Sequence, residues 1–162
     1  MLEAEIARAL QPFTIHQRTG KSGNIHLIRD QLEKAMWDHV GIMRNAEGLQ
    51  KGLDRISQIN ERMMDCGLGD DDRVFNLTWH DWLNTQSLVE ISEVIANAAL
   101  SRENSRGAHY REDFQDEGNL EDSYFTRTRQ SLDNDGRCRL KVERKNVDFS
   151  IVKPGESLVE GM

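Results

Sequence analysis

The sequence predicts a mainly α fold: a three-helix bundle that carries a β-hairpin tail at its C-terminal end. Three observations predict it. Residues 24–63 hold two stretches in which apolar side chains recur every three or four positions, and a longer helical stretch follows Asn76 and ends in a dense polar block. Farther on, alternating residues flank Asp133-Asn134-Asp135-Gly136, a strong signal for a hairpin turn. A chain of 162 residues suits one ordinary domain and can bury roughly 70% of its unfolded surface.

Taken in order, Met1 to Leu10 places Leu2, Ile6, Ala9 and Leu10 at helical spacing and reads as a short opening helix bounded by Pro12. Gln11 to Gly23 reads as a loop, with Phe13 and Ile15 as anchors, so that residues 1–23 form a leading segment. Asn24 is placed to cap the next helix, whose apolar side is Ile28, Leu32, Ala35, Met36, Val40 and Met43. Gly41 weakens the end of that helix. Asn45 caps the following one, with Ala46, Leu49, Leu53, Ile56, Ile59 and Met63 inward and a stop near Gly67. Gly48 and Gly52 inside it cost about 1 kcal/mol each relative to Ala, which suggests close approach of a neighbouring backbone or a fray.

Gly67 to Asp72 reads as a turn with three successive carboxylates, for which a solvated loop is favoured over a metal site. Thr78 and Asp81 look like a capping pair for the third helix, whose apolar stripe is Trp82, Leu88, Ile91, Ile95, Ala98 and Ala99. Running to Asn104, it is roughly 40 Å long at 1.5 Å per residue. Short connections make neighbouring helices antiparallel, which gives the bundle over residues 24–114. In the tail, residues 115–162, an acidic loop precedes two strand-like runs, Ser123 to Leu132 and Cys138 to Val142, and Val147 to Val152 reads as a further extended piece. Calcium is a poor reading of the acids between the runs, because Val142 stands where the loop needs a glutamate.

Composition narrows the function classes. Lys and Arg number 21 against 28 Asp and Glu, for a net charge of -7, and no basic run appears, which argues against nucleic acid as a partner. Cys66 and Cys138 form no C-x-x-C, so a reducing compartment is the expectation. No apolar run approaches the roughly 20 residues that span a bilayer, and no signal peptide precedes the first charges. The expected location is the cytoplasm. Histidines 16, 26, 39, 80 and 109 lack metal-ligand spacing, and no glycine-rich phosphate loop is present. Trp79, His80 and Trp82 read as a core plug more readily than as a cofactor box.

The polar block is the candidate functional feature. Arg106, His109 and Arg111 put cationic or titratable groups beside Glu112 and Asp113, near a helix C-terminus whose partial charge favours cations. One reading is a helix terminator whose arginines satisfy carbonyls and carboxylates. The other is an anion-binding or interdomain contact made by Arg106, His109, Tyr110, Arg111, Glu112 and Asp113, since arginine presents a planar fork to carboxylates.

The run from Asn104 through Ser105-Arg106-Gly107-Ala108-His109-Tyr110-Arg111-Glu112-Asp113 to Phe114 resembles the C-terminal helical domain of the succinate dehydrogenase and fumarate reductase flavoprotein subunits. So does Met36-Trp37-Asp38-His39-Val40-Gly41-Ile42-Met43-Arg44 with Gly48-Leu49. L-aspartate oxidase and adenylylsulfate reductase are weaker matches, and the segment after Phe114 departs from the respiratory enzymes. The resemblance implies a three-helix, spectrin-repeat-like bundle that buttresses a FAD-binding domain. It implies no flavin, metal or catalytic residue on this chain alone, FAD in the parent oxidoreductase, and an iron–sulfur subunit as a further partner. It also implies a fragment or separately encoded piece held peripherally at the inner face of the membrane through partners. The reading of another class is a free-standing helical interaction module that binds a partner protein through the same polar block.

Overall fold

In the computed structural model, residues 2–19, 23–69, 71–132, 138–154 and 156 are described. Two short helices lead, α1 (Leu2–Ala9) and α2 (Gln11–Thr19). The body is α3 (Ile25–Val40), α4 (Ala46–Met64) and α5 (Leu77–Ser101), and a hairpin of β3 (Tyr124–Leu132) and β4 (Cys138–Asn146) lies along α5. Between these, two-residue strands β1 (Met43–Arg44) and β2 (Tyr110–Arg111) pair in parallel, Met43 opposite Tyr110 and Arg44 opposite Arg111.

Helices α3 and α4 form where the periodicity puts them. Asn24 accepts from the Leu27 amide and Asn45 from the Gly48 amide, so each supplies an acceptor to a first-turn donor that has no helical partner. Ile25, Ile28, Leu32, Ala35 and Val40 of α3 are buried against Leu49, Ile56, Ile59 and Met63 of α4. Gly52 marks the point of closest approach: a Cβ there would lie 3.0 Å from His39 Cβ and 3.1 Å from Val40 Cγ2. Gly48 instead lies against its own cap, Asn45. Met43, read as the last apolar position of α3, is in β1 and exposed.

Several boundaries differ from the sequence reading. Gln11 to Thr19 is helix, not loop, because Pro12 sits in the first turn, where its missing N–H removes no helical bond. The amides of Leu10 and Thr14 bond the carbonyls of Ile6 and Leu10, which makes α1 and α2 nearly continuous. Phe13 enters the main core and meets Trp79 edge-on at 5.1 Å. α4 ends at Met64 rather than near Gly67, and α5 ends at Ser101 rather than Asn104. The cap of α5 is Asn76, which accepts from the Trp79 amide at 2.8 Å; the Thr78 and Asp81 pair lies inside the helix.

The apolar stripe of α5 is the largest correction. Leu88, Ile91 and Ile95 are 41%, 50% and 43% exposed, while Thr85, Gln86, Val89, Ser92 and Ala96 are buried. Small and short polar side chains let α3 and α4 come close, and Thr85 can bury because its hydroxyl bonds the Asp81 carbonyl at 2.8 Å. The displaced apolar face turns toward the hairpin, where Ile91 and Ile95 line shallow clefts. Trp82 is fully buried and donates to the Cys66 carbonyl, Trp79 is half-buried and donates to that of Ala9, and His80 is exposed.

The hairpin forms with Leu132 opposite Cys138, and the expected turn residues Asp133 to Gly136 lie outside the described residues. Leu120–Asp122 makes one 3-10 turn in the acidic connection, and 147–152 adds no strand to the hairpin. No described helix is long and apolar enough to cross a membrane.

Candidate interdomain docking site

The polar block begins where α5 stops. Arg102 is extended, and the chain doubles back through a tight antiparallel bridge in which Arg106 and His109 exchange backbone hydrogen bonds of 2.9 and 3.1 Å. Gly107 closes that turn at φ +57°, a conformation in which a Cβ would be strained. The returning strand β2 then reaches β1, and the Glu112 amide donates to the Arg44 carbonyl at 2.7 Å.

Arg111 is 1% exposed and occupies the centre of the block. Its Nη1 donates to the carbonyls of Ala99 at 3.1 Å, Leu100 at 3.1 Å and Arg102 at 2.9 Å. Its Nε and Nη2 form a two-pronged pair with Asp113, both at 2.7 Å. A cation therefore sits at the negative end of α5. Asp113 Oδ2 in turn accepts from the Ala46 amide at 2.8 Å, and Glu112 accepts from Asn45 Nδ2 at 2.8 Å, so anions sit at the positive end of α4. The Arg111–Asp113 pair joins the C-terminus of one helix to the N-terminus of another. That fork, with the Ala46 amide adding and burial opposing, holds the Asp113 carboxyl well below the usual carboxylate range.

Ser105 completes the clamp: its Oγ accepts from the Arg111 amide at 2.8 Å and donates to the Phe114 carbonyl at 2.7 Å. Arg106 turns the other way, organising the acidic connection through the carbonyls of Glu117 and Asn119 and the Ser123 hydroxyl. The arginine forks of the block are thus engaged within the chain, as in the terminator reading.

His109 is buried, and its Nδ1 lies 2.8 Å from Arg44 Nη1. Burial pushes the ring below the ordinary histidine value, the charges of Arg102, Arg44 and Arg111 push in the same direction, and the Arg102 carbonyl opposes them. Of the six residues expected to make interdomain contact, Glu112 and Asp113 are exposed, the Asp113 side chain by 30%, and Arg106 and Tyr110 are half-buried, whereas His109 and Arg111 are buried. Sequence reasoning did not place Arg44 or Arg102 in the site, and it named Asn45 only as a helix cap. The i to i+4 step from Val40 to Arg44, whose Nε donates to the Val40 carbonyl, was the one local signal.

Around this clamp the surface is unusually apolar. Trp37 is 83% exposed, Ile42 75% and Met43 67%, and all three lie at the corner where α3 ends and β1 begins. On the far side of the bundle Phe75 is 95% exposed at a positive φ of 55°, which is uncommon for a bulky residue.

Residues 29–158 match the family described as the fumarate reductase flavoprotein C-terminal region. The chain is 38% identical over 116 residues to an uncharacterized FAD-dependent oxidoreductase of Methanocaldococcus jannaschii, covering 69% of this chain and 19% of that protein. It is 33% identical over 140 residues to the fumarate reductase flavoprotein subunit of Escherichia coli, covering 83% of this chain and 22% of that one. In structure it is similar to Mycobacterium smegmatis Sdh1, with a TM-score of 0.78 and 26% identity over 91% of this chain and 24% of the other. The Escherichia coli quinol fumarate reductase gives a TM-score of 0.68 at 30% identity, over 95% of this chain and 26% of that chain. The chain thus spans about a fifth of the length of the relatives it matches. It belongs to the family of C-terminal domains of the succinate dehydrogenase and fumarate reductase flavoprotein subunits.

Proposed function

We propose that this chain buttresses the FAD-binding domain of a succinate dehydrogenase or fumarate reductase-type flavoprotein and performs no redox chemistry alone. The reading rests on one observation above others: Trp37, Ile42 and Met43 crowd one corner, uncovered, beside the β1–β2 clamp. Exposed apolar groups rimmed by polar ones mark interaction surfaces, and a tryptophan at the centre of such a surface is a common anchor. Glu112 and Tyr110 supply the rim. Arg111 and Asp113 serve the contact indirectly, by fixing the shape of the corner, and an iron–sulfur subunit meets the chain only through the assembled flavoprotein.

The test is binding of the chain to a separately expressed FAD-binding domain of the family, followed by titration calorimetry. Trp37→Ala is expected to weaken binding by about tenfold or more, equivalent to at least about 1.4 kcal/mol. The purified chain should also be colourless and fail to reduce fumarate. Unchanged affinity of the variant, or a chain that carries flavin by itself, overturns the proposal.

A further inference from the structure

Beside the clamp lies an open cleft of about 400 Å³, between the last turns of α5, β1, His109 and the first residues of β3. Ile95 and Phe125 give it apolar walls; Arg44, Arg102, His109 and Thr126 line it with donors. The hydrogen bonding of His109 fixes what the ring offers. A guanidinium only donates, so Nδ1, held 2.8 Å from Arg44 Nη1, is the acceptor, and in the neutral ring the proton belongs to Nε2. That Nε2 is sealed from solvent and makes no well-aligned hydrogen bond among the described residues, although the Arg102 carbonyl stands near enough to the ring to favour its protonated form. Thr126 Oγ1, lining the same cleft, is likewise buried without a partner.

Two further facts point to the same missing ligand. Among the described residues no carboxylate lies within ion-pair distance of Arg44 or Arg102, although the chain is acidic overall with a net charge of -7. Arg102 does contact the amide oxygen of Asn104 at 3.3 Å, and Arg44 donates to the Val40 carbonyl at 3.1 Å, but neither contact neutralises a charge. Two cations therefore line the cleft without an anion, beside a ring nitrogen and a hydroxyl that lack well-aligned partners, and buried polar groups of this kind are normally satisfied.

We propose that this cleft is a binding site for a carboxylate, held by Arg44 and Arg102 beside His109 and Thr126. A carboxylate offers two oxygens with several lone pairs in one plane, which suits guanidinium groups, and its aliphatic portion fits the Ile95 and Phe125 walls. The carboxylate comes from a small molecule or from an Asp or Glu side chain of a docked flavoprotein domain. The proposal does not rest on the docking reading, because a small acid enters the open cleft whether or not any domain docks.

The experiment follows the His109 ring resonances by NMR in the full 162-residue chain, labelled with nitrogen-15, as sodium acetate replaces sodium chloride at constant ionic strength. Saturable movement of the His109 Nε2 signal is expected with acetate and not with chloride. Arg102→Gln should raise the apparent Kd about tenfold and Thr126→Val by a smaller factor, with unchanged circular dichroism confirming that each variant is folded. A response that does not saturate, that chloride reproduces, or that Arg102→Gln leaves intact overturns the site. Adding the FAD-binding domain then distinguishes the sources. If the domain moves the same signal and excludes acetate, a protein side chain is the occupant; if acetate still binds, the occupant is a small acid. Saturable acetate binding by a chain that fails to bind the domain sinks the docking reading and leaves this one standing.

Discussion

Removing the Arg111 side chain would strand three helix-end carbonyls and one half-buried carboxylate at once. Breaking a buried, hydrogen-bonded ion pair from one side costs about 3–5 kcal/mol, so Arg111→Ala is expected to lower the unfolding free energy extracted from urea denaturation by an amount near that range. Arg111→Lys should recover little of the loss, since an ammonium cannot reach Asp113 with two prongs and three carbonyls with a third. Acid should expose the same pair. The carboxyl of Asp113 titrates lower folded than unfolded, so its contribution is complete above the unfolded value of about 4 and fades as pH falls toward the depressed folded one. Asp113→Asn should therefore be less stable than the parent at pH 7, with the gap narrowing as the pH drops below about 4. The sequence made Arg111 and Asp113 conspicuous as members of a charged run. It could not display their partners, because Ala99 and Ala46 are brought to them by the reversal at Gly107 and the β1–β2 pairing, neither of which has a periodic signature.

At the scale of the helices, two substitutions separate local preference from packing. Gly52→Ala gains about 1 kcal/mol of helix propensity but drives a methyl to within 3.0 Å of His39 Cβ, which is tied to the α3 backbone and yields little. Overpacking of that kind costs about 1–3 kcal/mol, so a net loss in thermal unfolding is expected, and a gain would mean α3 and α4 have room to separate. Asn76→Ala removes the cap together with the 2.7 Å hydrogen bond from its Nδ2 to the Asp72 carbonyl, and should cost about 1–2 kcal/mol. Asn24 and Asn45 were legible as caps because each stands directly before a clean apolar period. Asn76 was obscured by Thr78 and Asp81, a spacing that also looks like a capping pair. α2 was hidden by Pro12, whose effect depends on its place within the first turn. The inner face of α5 was misassigned for a tertiary reason: Ile91 and Ile95 fit a helical stripe, but the hairpin and the smaller residues Thr85, Ser92 and Ala96 decide which stripe faces α3 and α4.

For the molecule as a whole, the bundle and hairpin were legible because they follow from periodicity and turn chemistry, while the exposed apolar corner was not. Met43 falls on the apolar side of the helical period, and its exposure emerges only once β1 peels away from α3, while Trp37 lies off that side in the last turn of α3. The β1–β2 clip also carries a measurable property. Amide exchange at Glu112 should require opening of the clip, and Arg111→Ala should bring its protection down toward that of an open loop while mid-α4 amides keep theirs in proportion to the global loss. Equal changes at both positions would mean the clip has no independent opening.

The clip has a consequence in time. Met43 and Tyr110 meet across the entire length of α4 and α5, so their pairing closes a long loop and waits until both helices have formed and turned back. The corner beside it is therefore among the last parts of the chain to acquire its shape. A partner that recognised this corner would engage finished molecules and pass over chains still folding, which would order assembly without any dedicated checkpoint.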